Sequence, residues 1–347
     1  MRKAERALVA AIVVLAALAA VGHYDHWTTL ATFAVATVAL AGLAWIVSFA
    51  TEEVGERLGP AATGLLQATL GNLPELFVVI FALRSGERVV AQSAIVGSLF
   101  ATAMLVLGLV ILAGSLSARD GVMRFAPNAA RDTSTLLLVC TFIIVIVSFA
   151  LRSGVGAAHV RLVSGVSAAL LLTVYLAWVI PYVRRDQGSQ TNVAARLALP
   201  LALGLLVLAG VGAAFVSDWF VDALAPSIHK LGISQAFAGL VIVAIASNAV
   251  EHVVGIVMAR RGQSDLAISV VVNSVAQIAA FLFPALVLIS LTMHTSLSFS
   301  LRPVYIGAMA VSAVAVWQIT DDGEGHPYEG WALVVTYVVL AMITLYL

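Results

Sequence analysis

The sequence predicts an all-α integral membrane protein of about eleven transmembrane helices, with one N-terminal helix followed by two inverted five-helix repeats. Three observations carry that reading: the composition, the recurrence of apolar runs of bilayer length, and a short motif that occurs twice. Apolar residues make up 62% of the 347 and charged residues only 10%, where a soluble domain carries about 25% charged. Apolar runs of about 20 residues, enough to cross a hydrocarbon core roughly 30 Å thick, recur from end to end. They are continuous rather than alternating, which favours helices over a barrel, since each spanning segment must satisfy its own backbone polar groups.

The runs fall at about 7–22, 27–49, 60–83, 89–115, 133–151, 160–183, 195–216, 233–259, 264–290, 302–319 and 329–347. Residues 1–25 form the N-terminal helix; its basic start and small-residue end also resemble a secretory signal, but a retained helix fits the charge pattern. Residues 26–190 form the first half and 191–347 the second. Twelve Lys and Arg fall on the N-terminal side of this segmentation and six on the other. Basic residues mark the cytoplasmic side, so the expected protein is multi-pass in the plasma (inner) membrane, with a cytoplasmic N-terminus and an external C-terminus. The 18 basic residues match 18 acidic ones and are dispersed, which argues against nucleic acid as a partner. The expected partners are the lipid bilayer, inorganic cations and protons, with no cofactor and no specified oligomeric state. Cys140 is the only cysteine, so no intrachain disulfide is possible.

A shift of 176 residues aligns Gly71-Asn72-Leu73-Pro74-Glu75 with Ser247-Asn248-Ala249-Val250-Glu251, each Glu nine residues before Arg84 or Arg260. Without a gap, Ser93, Gly97 and Ser98 then align with Ser269, Asn273 and Ser274. Five spans per half is an odd number, so the second half enters the membrane from the opposite side. Inverted repeats of this kind place the ion site near the midplane, on helices interrupted by Gly or Pro. Gly71 and Pro74 interrupt one such helix.

Of eighteen acidic residues, only Glu75 and Glu251 fall well inside the apolar runs. Nine helical residues rise roughly 13 Å, about half the hydrocarbon thickness, so both carboxylates reach mid-membrane. A charge there costs at least about 2.5–3.5 kcal/mol, which makes an intramembrane acid a functional candidate; the structural alternative is a protonated Glu hydrogen-bonded between helices. Asn72 and Asn248 stand three residues before the two Glu and share their helix faces. The set is oxygen-only, which suits a hard cation such as Ca2+ with its six to eight oxygen ligands. Soft metals would need Cys or His in ligand spacing.

Two carboxylates close together in a low dielectric cannot both stay ionised unless a cation is present. Ca2+ and H+ then compete for one site, which gives counter-transport if the site opens to one side at a time. Supporting candidates are Gly71, Ser247, Gln92, Ser98, Asn273, Ser274 and Gln277, with Ser269, Asn273 and Gln277 forming a polar stripe at four-residue spacing. Small residues such as Gly97 read equally as helix-packing positions. His252 is a candidate for proton sensing or gating; it adjoins Glu251, but neighbours on a helix point about 100° apart, so ligation is not expected. Glu52, Glu53, Asp218 and Asp222 border predicted helices and read either as entrance acids that attract cations or as solvated helix-end charges. The loop from Thr320 to Gly330, with Asp321, Asp322 and Glu324, reads as a solvated connection.

At these motifs the chain resembles the CAX family of cation/proton exchangers, within the Ca2+/cation antiporter superfamily. Gly71-Asn72-Leu73-Pro74-Glu75 is similar to the first signature, G-N-x-x-E, and Ser247-Asn248-Ala249-Val250-Glu251-His252 to the second, G-N-A-x-E-H. Gly97-Ser98 and Gln277 also fit. The resemblance implies Ca2+/H+ exchange by alternating access, with the two Glu shared by both ions and the Asn pair assisting. The sequence departs from the pattern at Ser247, Asn273 and Thr102, and its Arg184–Arg196 loop is basic where many members carry an acidic helix; these departures bear on selectivity and regulation. A Na+/Ca2+ exchanger of the same superfamily is the alternative, but its G-T-S-x-P-E motif, aligned on the Glu, carries a hydroxyl where Asn72 and Asn248 stand. A passive cation channel or an intramembrane hydrolase using His252 is a more remote reading, and no H-E-x-x-H motif is present.

Overall fold

The computed structural model describes residues 3–55, 57, 66, 70–154, 157–186 and 196–347. Within them the chain forms α1 (Lys3–Tyr24), α2 (Thr29–Gly55), α3 (Leu73–Arg84), α4 (Arg88–Ser117), α5 (Pro127–Arg152), α6 (Val160–Asp186), α7 (Leu199–Leu231), α8 (Gln235–Arg260), α9 (Ser264–Ser290), α10 (Pro303–Asp321) and α11 (Pro327–Leu345). Ten of these are long and apolar enough to span a membrane. The eleventh, α3, is the described part of the run expected at 60–83, most of whose first ten residues lie outside the described set. The multi-pass helical architecture expected from the sequence is therefore the observed one.

The core sits on the central helices. α4 is the most enclosed, with 83% of its apolar window buried, against 17% for the peripheral α1. Large apolar side chains on α1, α6, α7 and α11 face outward, as lipid requires. Association of such helices relies on close packing rather than on expulsion of water. α4 shows this at Gly97, where a Cβ would stand 2.5 Å from the Leu240 Cα and carbonyl oxygen of α8.

Among the described residues three helices contain a wide π turn: Ala101–Val106 in α4, Ala238–Val243 in α8 and Ile278–Leu282 in α9. The sequence shows no sign of them, because a π turn changes no residue type. Such turns are costly and concentrate at functional sites.

The structure corrects several expectations. The span expected at 195–216 runs on to Leu231, giving α7 33 residues and a length of about 50 Å. Asp218 and Asp222 therefore lie within a helix rather than beyond its end. The helix closes at Gly232, whose φ of +66° lies in the left-handed region that favours glycine. The 320–330 loop is built rather than merely solvated: Glu324–Gly325 (β2) pairs antiparallel with Met123–Arg124 (β1). Arg124 bridges Asp120 at 2.5 Å and Glu324 at 3.2 Å, and Arg131 bridges Asp321 at 3.1 Å. The Arg124 guanidinium beside Asp120 holds that carboxyl below its usual range.

Glu53 is not an exposed entrance charge. Its carboxylate is 2% exposed and accepts backbone N–H bonds from Arg196 and Leu197 at 2.8 and 2.9 Å. Arg196 also reaches Glu5 at 3.4 Å, so α1, the end of α2 and the approach to α7 are tied together. Removing the acceptor leaves two buried donors, each costing about 1–3 kcal/mol if unsatisfied. Glu53→Ala is expected to lower the melting temperature in detergent clearly and Glu53→Gln less, since the amide oxygen still accepts; equal melting of both variants and the parent would remove Glu53 from the scaffold.

Candidate functional site

The first motif folds as its residues require. Gly71 and Asn72 form a turn, α3 starts at Leu73, and Pro74 occupies the first helical turn, where its missing N–H is harmless. Glu75 thus lies in the first turn of α3, where the helix dipole favours negative charge. The second motif behaves differently: α8 continues unbroken through Ser247–Glu251, and its irregularity, the Ala238–Val243 π turn, comes earlier. Only the first copy has a helix break beside its glutamate. Both helices end on the arginines nine residues on, Arg84 and Arg260.

The two halves meet at these residues. The Glu75 side chain is 1% exposed. Asn248 of the second half places its Nδ2 3.3 Å from Glu75 Oε2 and 2.8 Å from Ser98 Oγ, both of the first half. That nitrogen also reaches Ala244 O and Ser247 Oγ, each at 3.2 Å. With two hydrogens for four acceptors, the amide is shared rather than committed. Ser98 is thus joined to the Glu75 carboxyl through the Asn248 amide. In the second half, Ser274 donates to Glu251 Oε2 at 2.5 Å. Ser98 and Ser274 hold equivalent positions under the 176-residue shift, one linked to its Glu through Asn248 and the other directly. Asn72 is buried beside Glu75 on the turn into α3, while Glu251 is partly buried.

Other candidates lie further out. Gln92 donates its amide to the Ser298 and Ser300 carbonyls at 3.0 and 3.3 Å, fastening α4 to the chain before α10. Asn273 accepts from Thr133 Oγ1 at 2.9 Å and donates to Ser269 at 3.3 Å. Thr133, on α5, had no motif to mark it. Gln277 is buried at the start of the α9 π turn. Gly71 serves the turn, and Ser247 is buried beside Asn248. His252 is buried with its Nε2 making no hydrogen bond among the described residues. Glu52 and Asp222 are exposed, and Asp218 lines an apolar cleft between α3 and α7.

Leu73 lines that cleft too, on the opposite side from the oxygen cluster, with a Cδ 3.7 Å from where a Gly210 Cβ would stand. Among the described residues no three His, Cys, Asp or Glu side chains gather; the donors here are two carboxylates with amides and hydroxyls, an assembly fit for a hard cation or for protons.

The family described as sodium/calcium exchanger protein matches the chain at residues 28–181 and again at 201–346. Similar proteins include the Ca2+/H+ antiporter ChaA of Bacillus subtilis, 31% identical over 302 residues, covering 84% of this chain and 86% of that one. The Ca2+/H+ antiporter of Aphanothece halophytica is 28% identical over 313 residues, 84% of each chain. Among solved structures, native YfkE is similar with a TM-score of 0.83 at 29% identity, covering 98% of this chain and 99% of that one. The H+/Ca2+ exchanger CAX shares the fold at a TM-score of 0.79 and 16% identity, covering 99% of this chain and 93% of that one. The resemblance read from the two motifs thus holds over the whole fold, and the chain belongs to the sodium/calcium exchanger protein family, as a multi-pass helical membrane protein.

Proposed function

We propose that this protein is a secondary active transporter that exchanges Ca2+, or a related cation, for H+ by alternating access, with Glu75 and Glu251 as the site both ions share. The observation that carries the reading is the junction at Asn248, whose amide spans from the second half to Glu75 and Ser98 of the first. A site made by both halves changes whenever the halves move relative to each other, which is what coupling ion release to reorientation needs. The relatives named as Ca2+/H+ antiporters support the same reading.

The chemistry follows from charge. With both carboxylates ionised, the site carries two negative charges in a low dielectric, where unpaired charge is costly. A divalent cation neutralises them, and so do protons. Glu75, Glu251, Asn72 and Asn248 supply carboxylate and amide oxygens, while Ser98 and Ser274 add hydroxyls. One ion leaves only as the other arrives. The side of the membrane follows from the basic residues, with the N-terminus in the cytoplasm and the chain in the plasma membrane.

Ion-dependent proton flux in proteoliposomes tests the assignment. Addition of Ca2+ on one side is expected to drive protons the other way, and an imposed pH gradient to drive Ca2+ uptake without Na+. Uptake that follows a Na+ gradient and ignores pH would establish the Na+/Ca2+ reading instead.

A further inference from the structure

Outside the ion site, one cavity is unlike the rest of the lipid-facing surface. A cleft of about 670 Å³ runs between α3 and α7. Phe77 and Phe81 of α3 face Val211 and Phe215 of α7 across it, and Arg84 and Asp218 are its charged members among the described residues. The two helices run in the same direction: α7 is antiparallel to α2, with Leu197 at Glu53 and Ser227 at Thr29, α3 is the next span after α2, and Leu73 is level with Gly210. Asp218 lies eight residues beyond Gly210 and Arg84 eleven beyond Leu73, so both charges stand at the same end.

We propose that this cleft binds one acyl chain of a phospholipid whose headgroup joins a phosphate to a primary ammonium. The depth fits: from Leu73 to Arg84 the helix rises about 16 Å, half of a hydrocarbon core of roughly 30 Å, which is the reach of a single leaflet. An apolar lining excludes an ion path and suits an acyl chain. At the mouth, Arg84 matches a phosphate, to which guanidinium groups bind bidentately, and Asp218 matches an N–H donor. Arg84 and Asp218 form no ion pair with each other, which leaves each to its own half of the headgroup. A choline headgroup has no N–H to offer Asp218, and a glycerol headgroup has no positive charge. The assignment rests on the cleft and its mouth, so it stands or falls separately from the identity of the exchanged ion.

The test reconstitutes the full chain in vesicles of equal parts phosphatidylethanolamine, phosphatidylcholine and phosphatidylglycerol. The protein is then extracted in mild detergent and its retained lipid counted by mass spectrometry. Retention of phosphatidylethanolamine in excess of both others is expected. Ala214→Trp, which fills the cleft, should abolish that excess; Gly210→Leu fills it lower down and serves if the tryptophan variant misfolds. Arg84→Ala should lose the retained lipid, and Asp218→Asn should lose the preference over phosphatidylglycerol. Equal retention of all three lipids, preference for phosphatidylglycerol in the parent, or an excess that survives both cleft-filling variants would overturn the proposal. So would a second copy of the chain occupying the cleft, seen as a dimer that Ala214→Trp dissociates.

Discussion

Glu75→Gln and Glu251→Gln are each expected to abolish cation exchange while leaving a folded, monodisperse protein. Glutamine keeps the size of the side chain and an oxygen that can accept from Asn248 or Ser274, the partners now 3.3 and 2.5 Å away. It cannot ionise. The site then holds a single negative charge, too little for a divalent cation in low dielectric, and it has lost one of the groups whose proton must come and go. The loss should appear in both directions of the assay, as absent Ca2+ uptake under a pH gradient and absent proton efflux on adding Ca2+. Substantial exchange by either variant would refute a site shared by the two carboxylates. Asn248→Ala, which removes the bridge between halves but neither charge, should weaken apparent cation affinity more than it lowers the maximal rate.

Gly97→Val is expected to have the largest effect on stability rather than on chemistry. Its Cβ would meet the Leu240 backbone at 2.5 Å, and backbone inside a helix cannot step aside as a flexible side chain can. Gly239 faces the same crossing from α8, where a Cβ would stand 2.7 Å from the Val90 carbonyl oxygen. Overpacking of this kind costs typically 1–3 kcal/mol and occasionally more. Because lipid-solvated helices have little else to hold them together, a melt in detergent should shift down strongly for Gly97→Val and for Gly239→Ala. A melting temperature unchanged in either would mean that the two helices can part without penalty.

Both variants bear on what could be read in advance. The glutamates were legible because an acid in an apolar run is rare and its cost is known, and the repeat gave each a partner. The equivalence of Ser98 and Ser274 followed from the same alignment. Gly97 showed itself as a small residue but not how close its neighbour came, since backbone separation is a property of the packed pair. Glu53 was misread for a related reason: an acid near a helix end looks solvated until the segment from Arg196 folds over it, 143 residues away. The extent of α7 was hidden because Asp218 and Asp222 interrupt its hydropathy without interrupting its helix. The depth of Leu73 in an apolar cleft could not be seen either, for a motif fixes sequence order and not the direction in which a side chain leaves the helix.

The wide turns at Ala101–Val106 and Ile278–Leu282 fall at the same place in the two halves when these are aligned 176 residues apart. A π turn holds one residue more than an α turn, and the simplest origin of one is a single inserted codon. The alignment from Glu75 to Ser98 and from Glu251 to Ser274 needs no gap, so both halves carry the same count up to these turns. Two independent insertions at one position are improbable beside one. If the two halves descend from one five-helix unit, the inserted residue belongs to that unit, and the wide turn is older than the duplication that joined them.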